Sequence, residues 1–378
     1  MIDAINHACV RDDGYNGSDF TPAAVFVSVS SVPARLALTL LIATLGGGSF
    51  AFLGLPAAWL SGAMVFVAVA TLSGVRTVMP DRVRDGIFVL LGTSMGSGVR
   101  PEVLERVWEW PVSMALLVVV VVLVTLAGYV VLHGAAKWPR ETAFFGAIPG
   151  ALAYVIALAT DRGADLPKIA SSQSLRLFIL VAVLPFAVVS SNGTGAGMAV
   201  VREEGAFLDL LLGVPLCLAA SWLAQRVGVP GGWMTGAFFM SAGLNASGIL
   251  TLVLPEYLLL PSFMAVGAMI GCRFSAMTFR EFASVLGASA GAFAAAFMTS
   301  LAGAGLVSFL IGIPFGQALL AYAPGGLEVM TLLAFMLDLD PAFVAAHQIV
   351  RFTGMVLLLP FLTRWVLGPR PSAGISAR

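Results

Sequence analysis

The chain has 378 residues, 59% of them hydrophobic and only 11% charged, and its 20 basic and 20 acidic residues cancel to a formal net charge of zero. Soluble domains carry about 25% charged residues, so this is the composition of a polytopic membrane protein. The balanced charge provides no basic surface for nucleic acid, and nucleic acid is excluded as a partner on that ground.

Residues 1–32 read as an N-terminal tail, acidic at Asp3, Asp12, Asp13 and Asp19. They offer neither the basic start nor the immediate apolar core of a signal peptide. Apolar segments follow at 34–53, 56–74, 86–99, 111–133, 142–160 and 168–190. A second series lies at 206–225, 230–247, 257–272, 282–311, 315–337 and 342–363. A spanning helix needs about 20 mostly apolar residues, so ten to twelve segments are long enough to be candidates. Between the two series, residues 191–205 form a Gly/Ser-rich linker, and 368–378 a C-terminal tail.

The two series match in detail. Sliding residues 149–186 onto 324–361, a shift of 175, aligns Pro149 with Pro324, Gly150 with Gly325, Asp165 with Asp340, Gln173 with Gln348 and Arg176 with Arg351; in all, 13 of 38 positions agree. Pro56-Ala-Ala-Trp59 answers Pro230-Gly-Gly-Trp233, and Gly92 and Gly96 answer Gly267 and Gly271. Apolar bias alone does not put Pro-Gly, Asp, Gln and Arg in one register. The fold class is therefore all-α and polytopic, with two homologous repeats (33–190 and 206–367) of five or six transmembrane segments each. An odd number of spans per repeat makes the repeats inverted, the arrangement adopted here, and six makes them parallel.

The segments at 142–160 and 315–337 are broken by Pro-Gly near their starts. Lipid cannot satisfy freed backbone groups, so a helix broken at that depth must line protein or a polar cavity. Paired interruptions at matching positions of two repeats point to a transporter binding site. If all twelve segments cross, 11 basic residues gather on one side and seven on the other, which puts both termini in the cytoplasm.

Arg176 and Arg351 are the two basic residues in the middle of apolar segments, with Gln173 and Gln348 one turn earlier on the same helix faces. His347 lies four before Arg351, and Glu328, four after Pro324, has Ala153 as its counterpart. A charge at mid-membrane costs at least about 2.5–3.5 kcal/mol, so these groups face the bundle interior. Two readings stand. In the first, Arg176 and Arg351 bind an anionic solute between openings shaped by Pro149, Gly150, Pro324, Gly325 and Gly326. Gln173 and Gln348 line that site, and Glu328, tuned by His347, carries a coupled proton or cation. In the second, Glu328 and Arg351 form a structural ion pair and Arg176 bonds freed carbonyls. Asp165 and Asp340, just before the Arg-bearing helices, read as helix caps.

Catalysis has little support. Cys9, Cys217 and Cys272 show no pairing or metal spacing, and His7, His133 and His347 show no His-x-x-x-His pattern, so neither metal nor other cofactor is expected. No nucleophile-elbow or phosphate-loop motif is present.

The duplicated Pro-Gly-x-Leu followed by Asp and Gln-x-x-Arg, with Pro-x-x-Trp-x-x-Gly-Ala in each half, resembles the AbrB family of internally duplicated membrane proteins over about residues 33–367. That resemblance implies inverted repeats with broken crossing helices, and a link to regulation of gene expression. An ammonia monooxygenase label also attaches to the family, and the absence of clustered metal ligands in the sequence argues against it. The reading is thus a secondary transporter or exporter of a small anionic solute in the bacterial inner membrane, a non-enzyme able to form homo-oligomers. A membrane-embedded regulator or sensor is the alternative.

Overall fold

A computed structural model describes residues 31–99, 110–150, 152–192, 207–276 and 278–368; the tails and most of the 191–205 linker lie outside them. Every regular element among the described residues is helical. The first half runs α1 (Val32–Phe52), α2 (Ala58–Leu72), α3 (Asp81–Gly96), α4 (Trp110–Tyr129, continued by a π-turn over Val130–Ala135), α5 (Arg140–Ala147), α6 (Leu152–Thr160) and α7 (Leu166–Asn192). The second runs α8 (Phe207–Val227), α9 (Gly232–Ala246), α10 (Glu256–Cys272, ending in a 3-10 turn over Arg273–Ala276), α11 (Phe279–Ile311), α12 (Phe315–Tyr322), α13 (Leu327–Met336) and α14 (Pro341–Leu367). Seven of these are long and apolar enough to cross a membrane.

Caps in the sequence set several boundaries. Thr278 and Glu281 form a reciprocal cap at the start of α11, and left-handed Gly312 (φ 74°) closes it. Asp340 accepts from Ala342 N and Phe343 N ahead of Pro341, which opens α14. Asp165 accepts from Lys168 N at 3.1 Å at the start of α7.

Close glycine contacts reveal the helix directions. Gly46 backs onto Gly62 and Gly47 onto Trp59, so α1 and α2 are antiparallel. Thr71 and Thr77 share a hydrogen bond of 2.8 Å, and Val78 N donates to Thr39 Oγ1 at 3.1 Å. The start of α3 is thereby held beside the first turns of α1. Likewise Gly232 backs onto Gln225 and Gly236 onto Ser221, making α8 and α9 antiparallel. Thr251 N donates to Asp209 Oδ2 at 3.0 Å, returning the start of α10 to the start of α8.

Across the halves, Gly267 and Gly271 of α10 climb α2 in parallel, against Leu60 and then Met64, Val67 and Ala68. Gly92 and Gly96 of α3 climb α9 the same way, against Met234 and then Phe238 and Ser241. Taken together, these contacts make α1 and α8 run in opposite directions, as do α2 and α9, and α3 and α10. The pair α4 and α11 follows suit, with Val120 against Gly303 and Val131 against Gly291. Small residues allow these backbones to touch where lipid supplies no hydrophobic drive.

The segments at 142–160 and 315–337 do not cross. Arg140, at the start of α5, donates to Val366 O, and Arg162, after α6, donates to Gly368 O at 2.9 Å. Asp165 N donates to Thr142 Oγ1 at 3.1 Å. Both ends of the α5–α6 pair therefore lie at one face, beside the end of α14, and α5–α6 is a re-entrant hairpin. In the second half, Gln348 and then Arg351 reach Leu320/Ala321 and then Ala323/Gly325, so α14 runs parallel to α12. Because α13 leads straight into α14, it must double back. Each half thus crosses five times.

The hairpins correct the expected 11-to-seven charge split. With five crossings per half, Arg35, Arg76, Arg82, Arg84, Lys137, Arg140, Arg162, Lys168, Arg226, Arg273, Arg280 and Arg364 all fall at the face where α1 begins. These are all the described basic residues except Arg176 and Arg351. Asp209, Glu256, Asp338 and Asp340 fall at the opposite face.

Candidate functional site

Helices α5 and α12 each have 8 residues, about 12 Å at 1.5 Å per residue. Their tips therefore stop near the middle of an apolar core of about 30 Å. Arg176 comes ten residues after Leu166 and Arg351 ten after Pro341, about 15 Å along their helices. Tips and arginines share one depth.

A helix end leaves its last carbonyls without partners, and no bulk water reaches this depth. The arginines supply the missing donors. Arg176 Nη2 donates to Ile148 O at 2.9 Å and Nη1 to Ala147 O at 3.4 Å. Arg351 donates to Ala323 O and Gly325 O. Gln348 Nε2 adds bonds to Leu320 O at 2.9 Å and Ala321 O at 3.3 Å. Gln173, in the matching place, leaves its Nε2 without a partner, as does Gln348 its Oε1. All four side chains are buried: Arg176 is 8% exposed, Arg351 6%, Gln173 6% and Gln348 0%.

The two guanidiniums lie close enough to feel each other's charge. Among the described residues their own ion pairs are absent: the pairs present are Arg84 with Asp81 and Asp85, and Lys168 with Asp165. The expected Glu328–Arg351 pair does not form. Glu328, half-buried in the first turn of α13, instead places its carboxylate against Gly231, the left-handed residue (φ 61°) that opens α9; a Cβ there would lie 3.1 Å from Oε1. The charge of Glu328 also reaches Arg273.

His347 turns toward α4. Its Nδ1 lies 2.8 Å from Phe343 O and its Nε2 2.6 Å from Ser113 Oγ, while Tyr322 O–H donates to Ser113 O. A carbonyl at Nδ1 requires N–H there, which leaves Nε2 to accept from the serine. Sequence reasoning overlooked Ser113, Tyr322, Gly231 and Arg273. Gly231 alone had a visible signal, in the Pro-Gly-Gly-Trp motif.

The turns differ in detail. Gly150 has φ +94°, a conformation that side chains resist. Gly325 is instead crowded by the Met330 side chain. Gly326 caps α13 without a side-chain bond. Pro149 and Pro324 precede the two breaks.

The charges can be summed. Each half-helix end carries about half a charge, negative at the C-termini of α5 and α12 and positive at the N-termini of α6 and α13. These four cancel, leaving two guanidiniums against one carboxylate. The tips carry net positive charge. Among the described residues no group of three or more His, Cys, Asp or Glu converges to hold a metal.

Comparison with known proteins adds the family. The model for "Transition state regulatory protein AbrB" matches residues 59–367. The chain is 27% identical over 329 residues to "Putative regulator AbrB" of Escherichia coli (strain K12), covering 84% of this chain and 93% of that protein. It is 24% identical over 349 residues to "Uncharacterized protein YhjN" of Bacillus subtilis (strain 168), covering 84% and 90%.

Proposed function

The chain belongs to the AbrB family, and we propose that it is a secondary transporter or exporter of a small anionic solute, bound between the two hairpin tips. One observation carries this reading: two buried guanidiniums at mid-membrane depth, within reach of each other's field and without a carboxylate partner among the described residues. Each guanidinium has five N–H donors and spends two on the carbonyls, so donors remain for an anion. A purely structural role needs only the carbonyl bonds and leaves the mutual repulsion unexplained. The solute would move with a coupled proton or cation, whose site the Glu328 carboxylate contributes to.

The basic face is assigned to the cytoplasm by the positive-inside rule, so residues 31 and 368, and the termini beyond them, lie on the cytoplasmic side of a bacterial plasma membrane. A second reading, a membrane-embedded regulator of gene expression, draws on the relative named a regulator. A transporter that changes the level of a signalling metabolite produces the same outcome indirectly.

The test is flux in proteoliposomes. Arg176→Gln should abolish uptake of small carboxylates while the yield of folded protein persists. Retained flux would refute the site, and a collapse of folded yield would favour the structural role.

A further inference from the structure

The two orphaned amides carry the reading one step further, to the class of solute, and this step rests on the transport site proposed above. Gln173 lies one helical turn before Arg176 and Gln348 one turn before Arg351, each on its arginine's face. Helix α7 leaves the basic face and α14 returns to it. Gln173 therefore sits on the basic side of the arginine pair and Gln348 on the opposite side. The Nε2 of Gln173 is a buried donor without an acceptor, and the Oε1 of Gln348 a buried acceptor without a donor.

Such groups are costly to leave unmade, and elsewhere in this fold they are paid off locally. The hydroxyls of Thr39, Thr93, Ser221, Ser262 and Thr331 each bond the carbonyl four residues back. An amide at 173 serves no packing purpose that an apolar residue would not serve better. Its partner is therefore sought in the ligand.

We propose that the solute is a small carboxylate bearing a hydroxyl group. Its carboxylate would bridge the guanidiniums, and its hydroxyl has both capacities the amides lack, accepting from Gln173 Nε2 and donating to Gln348 Oε1. A plain monocarboxylate or a halide satisfies neither amide role. An ammonium group can only donate, and a second carboxylate can only accept. A site built to hydrogen-bond a substrate hydroxyl discriminates strongly against the analogue without it.

The experiment compares lactate and glycerate with propionate, as thermal stabilisation of the detergent-purified full chain and as competitors in proteoliposome counterflow. The hydroxy acids should bind at least about tenfold tighter than propionate. Gln173→Leu and Gln348→Leu should each erase most of that preference and leave propionate binding unchanged. Gln173→Leu should also raise the melting temperature of the unliganded protein, because it removes an unmet donor; Gln173→Asn serves as the amide-retaining control if the leucine variant does not fold. Equal, arginine-dependent binding of all three acids would overturn the hydroxyl assignment and leave the anion site standing. Failure of every acid to bind would overturn both.

Discussion

The two hairpins are built on one plan and finished differently. Both break at Pro-Gly, both stop at mid-membrane, and both have their loose carbonyls taken up by an arginine ten residues into the following helix. The second is tied down more firmly: Arg351 reaches two carbonyls closely, Gln348 reaches two more, and Glu328 contacts the start of α9. The first has one good arginine bond, one at 3.4 Å, and an idle amide. An alternating-access device needs one element that yields before its partner, and weaker tethering makes the first hairpin the better mover.

The sharpest way to break that comparison is to remove the arginines one at a time. Arg351→Gln strips donors from two buried carbonyls, at about 1–3 kcal/mol each. Arg176→Gln costs about 1–3 kcal/mol in all, because its second bond is long. Unfolding in detergent should therefore show the Arg351 variant as clearly the less stable. Equal losses would mean that the hairpins are equally held.

A smaller difference lies in the turns. Gly150→Ala forces a side chain into φ +94° and should cost about 1–3 kcal/mol. Gly325→Ala meets the flexible end of Met330, which can turn aside, and should cost less than about 1 kcal/mol. Melting temperatures of the two variants, measured side by side, should rank in that order.

How much of this was legible beforehand depended on how local the cause was. The Gln-x-x-Arg pairs, the Pro-Gly breaks and the all-helical membrane class are written in short stretches of sequence. The re-entrant course of the hairpins is not. Nineteen apolar residues at 142–160 are enough to cross a bilayer. What turns the chain back is a set of contacts from Arg140, Arg162 and Thr142 to groups 20 to more than 200 residues away. Counting these segments as crossings put Arg162 and Lys168 on the wrong face, which is why the basic residues looked only weakly sorted. Glu328 was mispaired for the same reason: its nearest arginine in sequence is not the group it meets in space.

The Pro-x-x-Trp motifs allow a further comparison. Ala57 and Gly231 hold the same left-handed position at the starts of α2 and α9, with φ 50° and 61°. An alanine there costs about 1 kcal/mol more than glycine. Ala57→Gly should therefore stabilise the protein by up to about 1 kcal/mol, and Gly231→Ala should destabilise it by at least as much, since its new methyl would press on the Glu328 carboxylate. An Ala57→Gly variant that melts lower than the parent would refute the assignment.

The smallest effect belongs to Asp165, at the basic face outside the spanning helices. Partial burial raises its pKa, but hydrogen bonds from the Lys168 side chain and backbone, together with the lysine charge, outweigh it and hold the carboxyl below its usual value. A depressed folded-state pKa contributes stability that is complete above the unfolded value of 3.8 and is lost as pH falls through the lower folded value. The group is more than a third exposed, at 37%, so solvent screens the ion pair and most of its worth is the cap, about 0.5–2 kcal/mol. Asp165→Asn keeps a capping oxygen and removes the charge. It should melt within a degree or two of the parent at pH 7 and flatten the parent's loss of stability below about pH 4. A variant that instead falls far below the parent at neutral pH would show that the ion pair, rather than the cap, anchors α7 beneath the first hairpin.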